Sequence, residues 1–218
     1  VASIEIVARE GDALSWRPVD EGRMLRTSHA LACDGGAWLI DPIDGDGLDA
    51  ALADLGPVAG VILTLGRHGR DSRRIAERHS VDVWGDEALG RVPDGVRRYR
   101  ERVPGSPLVS VSLRGRGLRR WWREVAIWWP ERRLAVVGES VGNAPYFLRQ
   151  GERLGLHPLR RGAPPPELAD LDVDRVLCGH GDGVPDGAAS VLGDLVVRGP
   201  SRRGPLWLIE TFRTYRSG

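Results

Sequence analysis

The run Val58-Ala59-Gly60-Val61-Ile62-Leu63-Thr64-Leu65-Gly66-Arg67-His68-Gly69-Arg70-Asp71 decides the fold. Its first seven residues are nearly all apolar, as in a strand buried on both faces. The polar, glycine-rich half that follows is a loop at the strand's C-terminal end, where ligand sites of α/β proteins gather. Ser72 to His79 then reads as a helix and Val81 to Trp84 as a short strand.

Upstream, Ile4, Ile6 and Ala8 alternate with polar neighbours, the period of a half-buried strand. Ala13 to Val19 returns as a second strand. Leu31 to Cys33 and Ala37 to Ile40 flank Asp34-Gly35-Gly36, which suits a hairpin, and Asp41-Pro42 stops the ladder. Leu48, Leu52 and Leu55 fall at helical spacing behind Asp46, the expected cap. Downstream, Asp86 to Pro107 is polar and Arg-rich, a loop with some helix. Leu108 to Leu113 alternates, Leu118 to Trp122 resumes after a Gly/Arg stretch, and Val125 to Trp129 turns at Pro130 into Leu134 to Val137. Trp128 and Trp129 should point to opposite faces. Pro145 to Arg149 is expected as a short helix and Val173 to Cys178 as a strand ending in Gly179-His180-Gly181-Asp182-Gly183. Asp186 to Val197 reads as a helix and Leu206 to Tyr215 as a closing strand. No repeat or linker divides the chain, so one domain over residues 1–218 is expected.

The net charge is +1, and all 31 basic residues are Arg. This balance argues against broad attraction to nucleic acid or membranes. Cys33 and Cys178 lie far apart in strand-like contexts, as buried free thiols do. No run is long enough to span a bilayer, and the first ten residues lack the pattern of a signal peptide. A cytoplasmic location is the default expectation.

Ile40-Asp41-Pro42, Leu63-Thr64, Val137-Gly138-Glu139 and Gly179-His180-Gly181 each sit at a strand end. In that order they resemble the metallo-β-lactamase superfamily, over roughly Leu31 to Val184. The resemblance implies an α/β fold, an αββα sandwich of two mixed β-sheets flanked by helices. It also implies hydrolase ancestry and a two-metal site. Aligned on Thr64 with one extra loop residue, His68 takes the family's second His, and Gly66 stands where the first His belongs. Arg70 replaces the family's Asp, Asp71 its third His, and Glu139 its bridging Asp. His180 is retained, and no His lies between His79 and His157 for the mid-chain ligand. The resemblance thus implies a degraded site: His68, Asp71, Glu139 and His180 remain as ligands for at most one zinc or other divalent ion.

Arg70 bears on that site directly. A guanidinium stays charged and pairs with carboxylates. It is expected to stand in for a metal as the counter-charge of Glu139 or Asp71. His68 reads equally well as a satisfied loop histidine, and His29, His79 and His157 read as structural. Gly179, Gly181 and Gly183 suit tight turns.

Three functions stay open. One is a single-metal hydrolase with His180, Glu139 and Asp71 as ligands, His68 as acid or base, and a small-molecule substrate. The second is a non-catalytic small-anion-binding or scaffold protein, with Arg67 and Arg70 in the pocket. The third and least favoured is nucleic-acid binding through the Arg- and Trp-rich stretch from Arg114 to Arg123. An exposed Trp there would instead point to a homo-oligomer surface.

Overall fold

The computed structural model describes residues 3–19, 22–114 and 121–198. The first sheet has seven strands in chain order: β1 Ile4–Glu10, β2 Ala13–Pro18, β3 Ser28–Cys33, β4 Gly36–Ile40, β5 Val58–Leu63, β6 Val83–Asp86 and β7 Arg97–Tyr99. Pairing is antiparallel from β1 to β4 and parallel from β4 to β7. In the second sheet β8 (Val109–Arg114), β9 (Arg123–Trp129) and β10 (Leu134–Val137) are antiparallel. A fourth strand, β13 (Arg175–Cys178), runs parallel to β10. A short ribbon joins β11 (Val141–Gly142) and β12 (Gly155–Leu156). The α-helices among the described residues are α1 (Leu48–Leu52), α2 (Ser72–His79) and α3 (Ala188–Arg198), with short 3-10 turns between elements.

The alternation read from sequence builds the layers. Leu31, Trp38, Ile40 and Leu63 meet Val125, Ile127, Trp129, Leu134 and Val136 between the sheets. Their neighbours Ala30, Ala37, Leu39 and Val61 face outward, onto Leu48 and Leu52 of α1 and Ile75 and Ala76 of α2. On the other side Ala126, Ala135, Val137 and Val176 pack with Ala188, Leu192 and Leu195 of α3. Each such Leu or Ile stabilises the fold by roughly 1.5–3 kcal/mol through burial. The result is the expected αββα sandwich with two mixed sheets. Trp128 and Trp129 do face opposite sides, and both are at least half-buried.

Some local expectations are corrected. Asp46 does not cap α1; Gly47, in the left-handed region at φ 85°, holds that position without a side-chain cap. Residues 145–149 form turns instead of a helix, and Arg97–Tyr99 within the expected loop adds a parallel edge strand. Trp121 and Trp122 precede β9 instead of extending it. The expected closing strand, and most of the Arg-rich stretch from Arg114 to Arg123, lie outside the described residues. No helix among the described residues is long and apolar enough to cross a membrane.

One buried histidine ties the two sheets together. His29 on β3 donates from Nε2 to the Cys178 carbonyl at 2.9 Å. Its Nδ1 must therefore accept the Ser15 hydroxyl, 2.8 Å away. Burial holds its pKa down at about 4, against 6.5 for the free side chain. Its neutral form is thus part of the native state. The stability it contributes is complete above pH 6.5 and lost as pH falls from 6.5 toward 4. Urea unfolding should record a loss of roughly 3 kcal/mol over that window. His29→Gln, which keeps a donor for Cys178, should flatten the dependence; an unchanged slope would discard this assignment.

Candidate functional site

The site forms where the ends of two parallel strand pairs converge, β4 with β5 and β10 with β13. β4 ends at Asp41, β5 at Thr64, β10 at Gly138-Glu139 and β13 at Gly179-His180. Backbone bonds hold these ends, Val137 O accepting Gly179 N–H at 2.9 Å between β10 and β13 and Thr64 O accepting Val125 N–H of β9 at 3.0 Å. Glycine permits the crowding. A Cβ on Gly138 would lie 2.0 Å from the Thr64 hydroxyl oxygen, and one on Gly179 2.2 Å from the Gly138 carbonyl oxygen. Gly181 and Gly183 do have the positive φ expected of turn glycines. The requirement at Gly179 is instead close backbone approach.

His68, Glu139 and His180 come together there, each buried, with one ligand atom apiece lying within 4.8 Å of the others. His68 lies between two carboxylates, with Nδ1 2.9 Å from Asp41 and Nε2 3.4 Å from Glu139. Burial alone would lower its pKa, but the charge and hydrogen bond of Asp41, with Glu139, raise it. Burial would raise Glu139, but His68, Arg67 and His157 hold it well below the usual carboxylate range. His180 is different. Its Nδ1 donates to the Met24 carbonyl at 2.9 Å, so Nε2 carries the lone pair. Nε2 is buried and has no hydrogen-bond partner among the described residues. Burial, reinforced by the charge of Arg70, keeps this ring neutral, with a pKa of about 3. Phe147 stacks on it with ring centroids 5.2 Å apart.

Arg67, not Arg70, takes the place expected of Arg70. Arg67 is the guanidinium on Glu139, and it lies over Trp122 at 4.6 Å. Arg70 turns inward, with a positive φ of 38°. It donates to the carbonyls of Thr27 (3.0 Å), Asp41 (2.9 Å) and Gly179 (3.4 Å). It also donates to the Ser28 hydroxyl at 3.3 Å. Its field reaches the histidines. Asp71 also stands apart. At the start of α2, its carboxylate accepts the Asp44 N–H at 3.0 Å and Arg74 at 3.1 Å.

Three neighbours went unread in the sequence. Asp41, at φ 44°, is held by Thr64 N–H (2.9 Å) and the Thr64 hydroxyl, and so aims at His68. Glu124 is fully buried on β9 and accepts the N–H groups of Glu139 (2.7 Å) and Ser140 (2.9 Å), fixing the turn that presents Glu139. His157, read as structural, places Nε2 3.8 Å from Glu139. The available signal was the Asp41-Pro42 strand end; a lone Glu within an apolar strand was the signal for Glu124.

No family model and no curated protein matches the chain. Solved structures do match. DIM-1 metallo-beta-lactamase superposes with a TM-score of 0.62 at 12% identity, covering 89% of this chain and 97% of that one. The chain has the metallo-β-lactamase fold. FIM-1 from Pseudomonas aeruginosa, solved in a mono-zinc form, gives a TM-score of 0.60 at 10% identity over 91% and 97% of the two chains. TTHA1623, solved in a di-iron-bound form, gives 0.53 at 20% identity over 87% and 98%. Within this metallo-β-lactamase fold, the donor set here suits one divalent ion. Two imidazoles and a carboxylate are ordinary zinc ligands. Asp41 behind His68 and the Met24 carbonyl behind His180 orient the rings as outer partners of metal-bound histidines do.

Proposed function

We propose that this chain is a hydrolase-fold protein with a single, weak divalent-ion site on His68, Glu139 and His180, and that its hydrolytic turnover is impaired. The observation that carries this reading is the buried, unprotonated Nε2 of His180, which has no hydrogen-bond partner among the described residues. Burying such an acceptor without a partner costs about 1–3 kcal/mol, which a bound cation would offset. A zinc ion bound there would polarise a substrate oxygen and acidify a bound water.

The protein's own groups explain the weakness. Arg67 already neutralises Glu139. His68, raised in pKa, keeps on Nε2 the proton that an ion must displace. Arg70 adds a fixed positive charge that opposes a second cation. Asp41 holds the His68 ring, Glu124 holds the Glu139 backbone, and Phe147 shields His180 from water.

Calorimetric zinc titration of untagged, chelator-stripped protein tests the reading. One ion per chain is expected. His180→Ala should weaken binding about 100-fold or more. Arg67→Ala should tighten it about tenfold, because a cation leaves the ligand carboxylate. Ester, thioester and phosphodiester panels should show slow turnover at most. Zinc binding indifferent to His180→Ala, or absent from both the parent and the Arg67→Ala protein, would overturn the site.

A further inference from the structure

We propose that a cleft beside the histidine cluster binds a small molecule that combines a planar aromatic ring with a carboxylate or phosphate. The cleft measures about 710 Å³ and is lined by Gly66, Arg67, Arg91, Asp94, Trp121 and Arg123, among others. That volume suits a metabolite-sized ligand. Its charge is one-sided. Arg67 is engaged by Glu139, but Arg91 and Arg123 make no ion pair among the described residues. Asp94 is the carboxylate of the lining, so two uncompensated guanidiniums face one acid.

Trp121 supplies the other half of the recognition. It is 58% exposed, whereas Trp16, Trp38, Trp122 and Trp129 are buried. An exposed indole among arginines is a surface for stacking, since both indole and guanidinium offer flat faces to an aromatic ring. The indole is supported from beneath by Trp122, at 5.4 Å between centroids, and Arg67 lies on Trp122 in turn. Arg123 is placed by Gly90. A Cβ there would come within 2.9 Å of the Arg123 Cδ, so the missing side chain leaves the arginine stem its path. Guanidiniums that pair with a carboxylate or phosphate and an indole that stacks on a planar ring thus share one wall. Arg67, paired with Glu139, is the cleft's link to the ion-binding side chains. Trp121 and Arg123 are not among those side chains, and binding is expected with or without an ion.

Calorimetry in the presence of a chelator tests this directly, with 1-naphthyl phosphate and 1-naphthoate as probes. Inorganic phosphate and 2-naphthalenemethanol separate charge from ring. Both aromatic anions should bind, each at least about tenfold more tightly than either fragment. Arg123→Gln and Trp121→Leu should each weaken binding about tenfold while leaving the thermal midpoint and zinc titration unchanged. Equal binding of the neutral alcohol would reduce the cleft to an apolar surface and overturn the proposal. So would silence from all four probes, or variants that bind like the parent. A single-stranded oligonucleotide held more tightly than the probes would reassign the wall to nucleic acid. Self-association abolished by Trp121→Leu, without probe binding, would reassign it to a second copy of the chain.

Discussion

Arg161→Met protein is expected to lose about 3–5 kcal/mol of stability in urea. Arg161 and Glu152 form an ion pair with both side chains only 1% exposed. Two parallel bonds join them, Nη1 to Oε1 at 2.8 Å and Nη2 to Oε2 at 2.6 Å. The same Nη2 also donates to the Phe147 carbonyl at 2.6 Å, and Glu152 accepts the Arg149 N–H at 2.9 Å. Removing the guanidinium leaves a buried carboxylate without its counter-charge, which costs more than the pair itself contributes. Arg161→Met with Glu152→Leu removes both desolvated charges, so it should recover much of the loss. A single variant within about 1 kcal/mol of the parent would mean that water reaches the pair. The pair also bears on the site. It fixes the backbone of Phe147, whose ring covers His180. Weaker zinc binding should therefore accompany the single variant under conditions where it remains folded.

The layers were legible because they rest on period two. Leu31 and Cys33 against Ala30 and Ala32, or Val125 and Ile127 against Ala126 and Trp128, state which side faces the opposite sheet and which faces helices. The strand-end signatures were legible for the same local reason. The assignment of charges was not. Arg67 and Arg70 stand three residues apart in one polar loop, and nothing local says which reaches Glu139. The loop conformation decides: Arg70 enters the left-handed region and directs its guanidinium to the carbonyls at the ends of β4 and β13. Asp71 and Asp41 exchange importance in a similar way. Asp71 begins a helix and serves Asp44 and Arg74, whereas Asp41 looked like a strand terminator and in fact orients His68. Glu124 needed the partner strand as well, because its value lies in two N–H groups from residues 139 and 140.

Gly66→His, which would place a histidine at the position that the sequence resemblance aligns with the family's first His, is expected to destabilise the protein by about 3 kcal/mol or more without tightening zinc binding. Any side chain at residue 66 begins with a Cβ, and that atom would stand 2.0 Å from the Arg91 carbonyl oxygen and 3.2 Å from its carbonyl carbon. Both neighbours are backbone, so rotating a side chain cannot relieve the clash. Relief requires moving the segment around Arg91, which is pinned on either side. The Leu89 side chain is buried between the sheets, and Val92 packs against the same core. Gly66→Ala discriminates between two accounts of why glycine stands at this position. If only ligand chemistry were at stake, alanine would be nearly silent and histidine would gain affinity. If the neighbouring backbone has closed over the position, alanine already carries most of the destabilisation and histidine gains no affinity. Chemical denaturation of both variants, with zinc titration of each, separates the accounts. The geometry predicts the second: the backbone packed against Gly66, which also lines the cleft beside the histidine cluster, leaves no room for a side chain there.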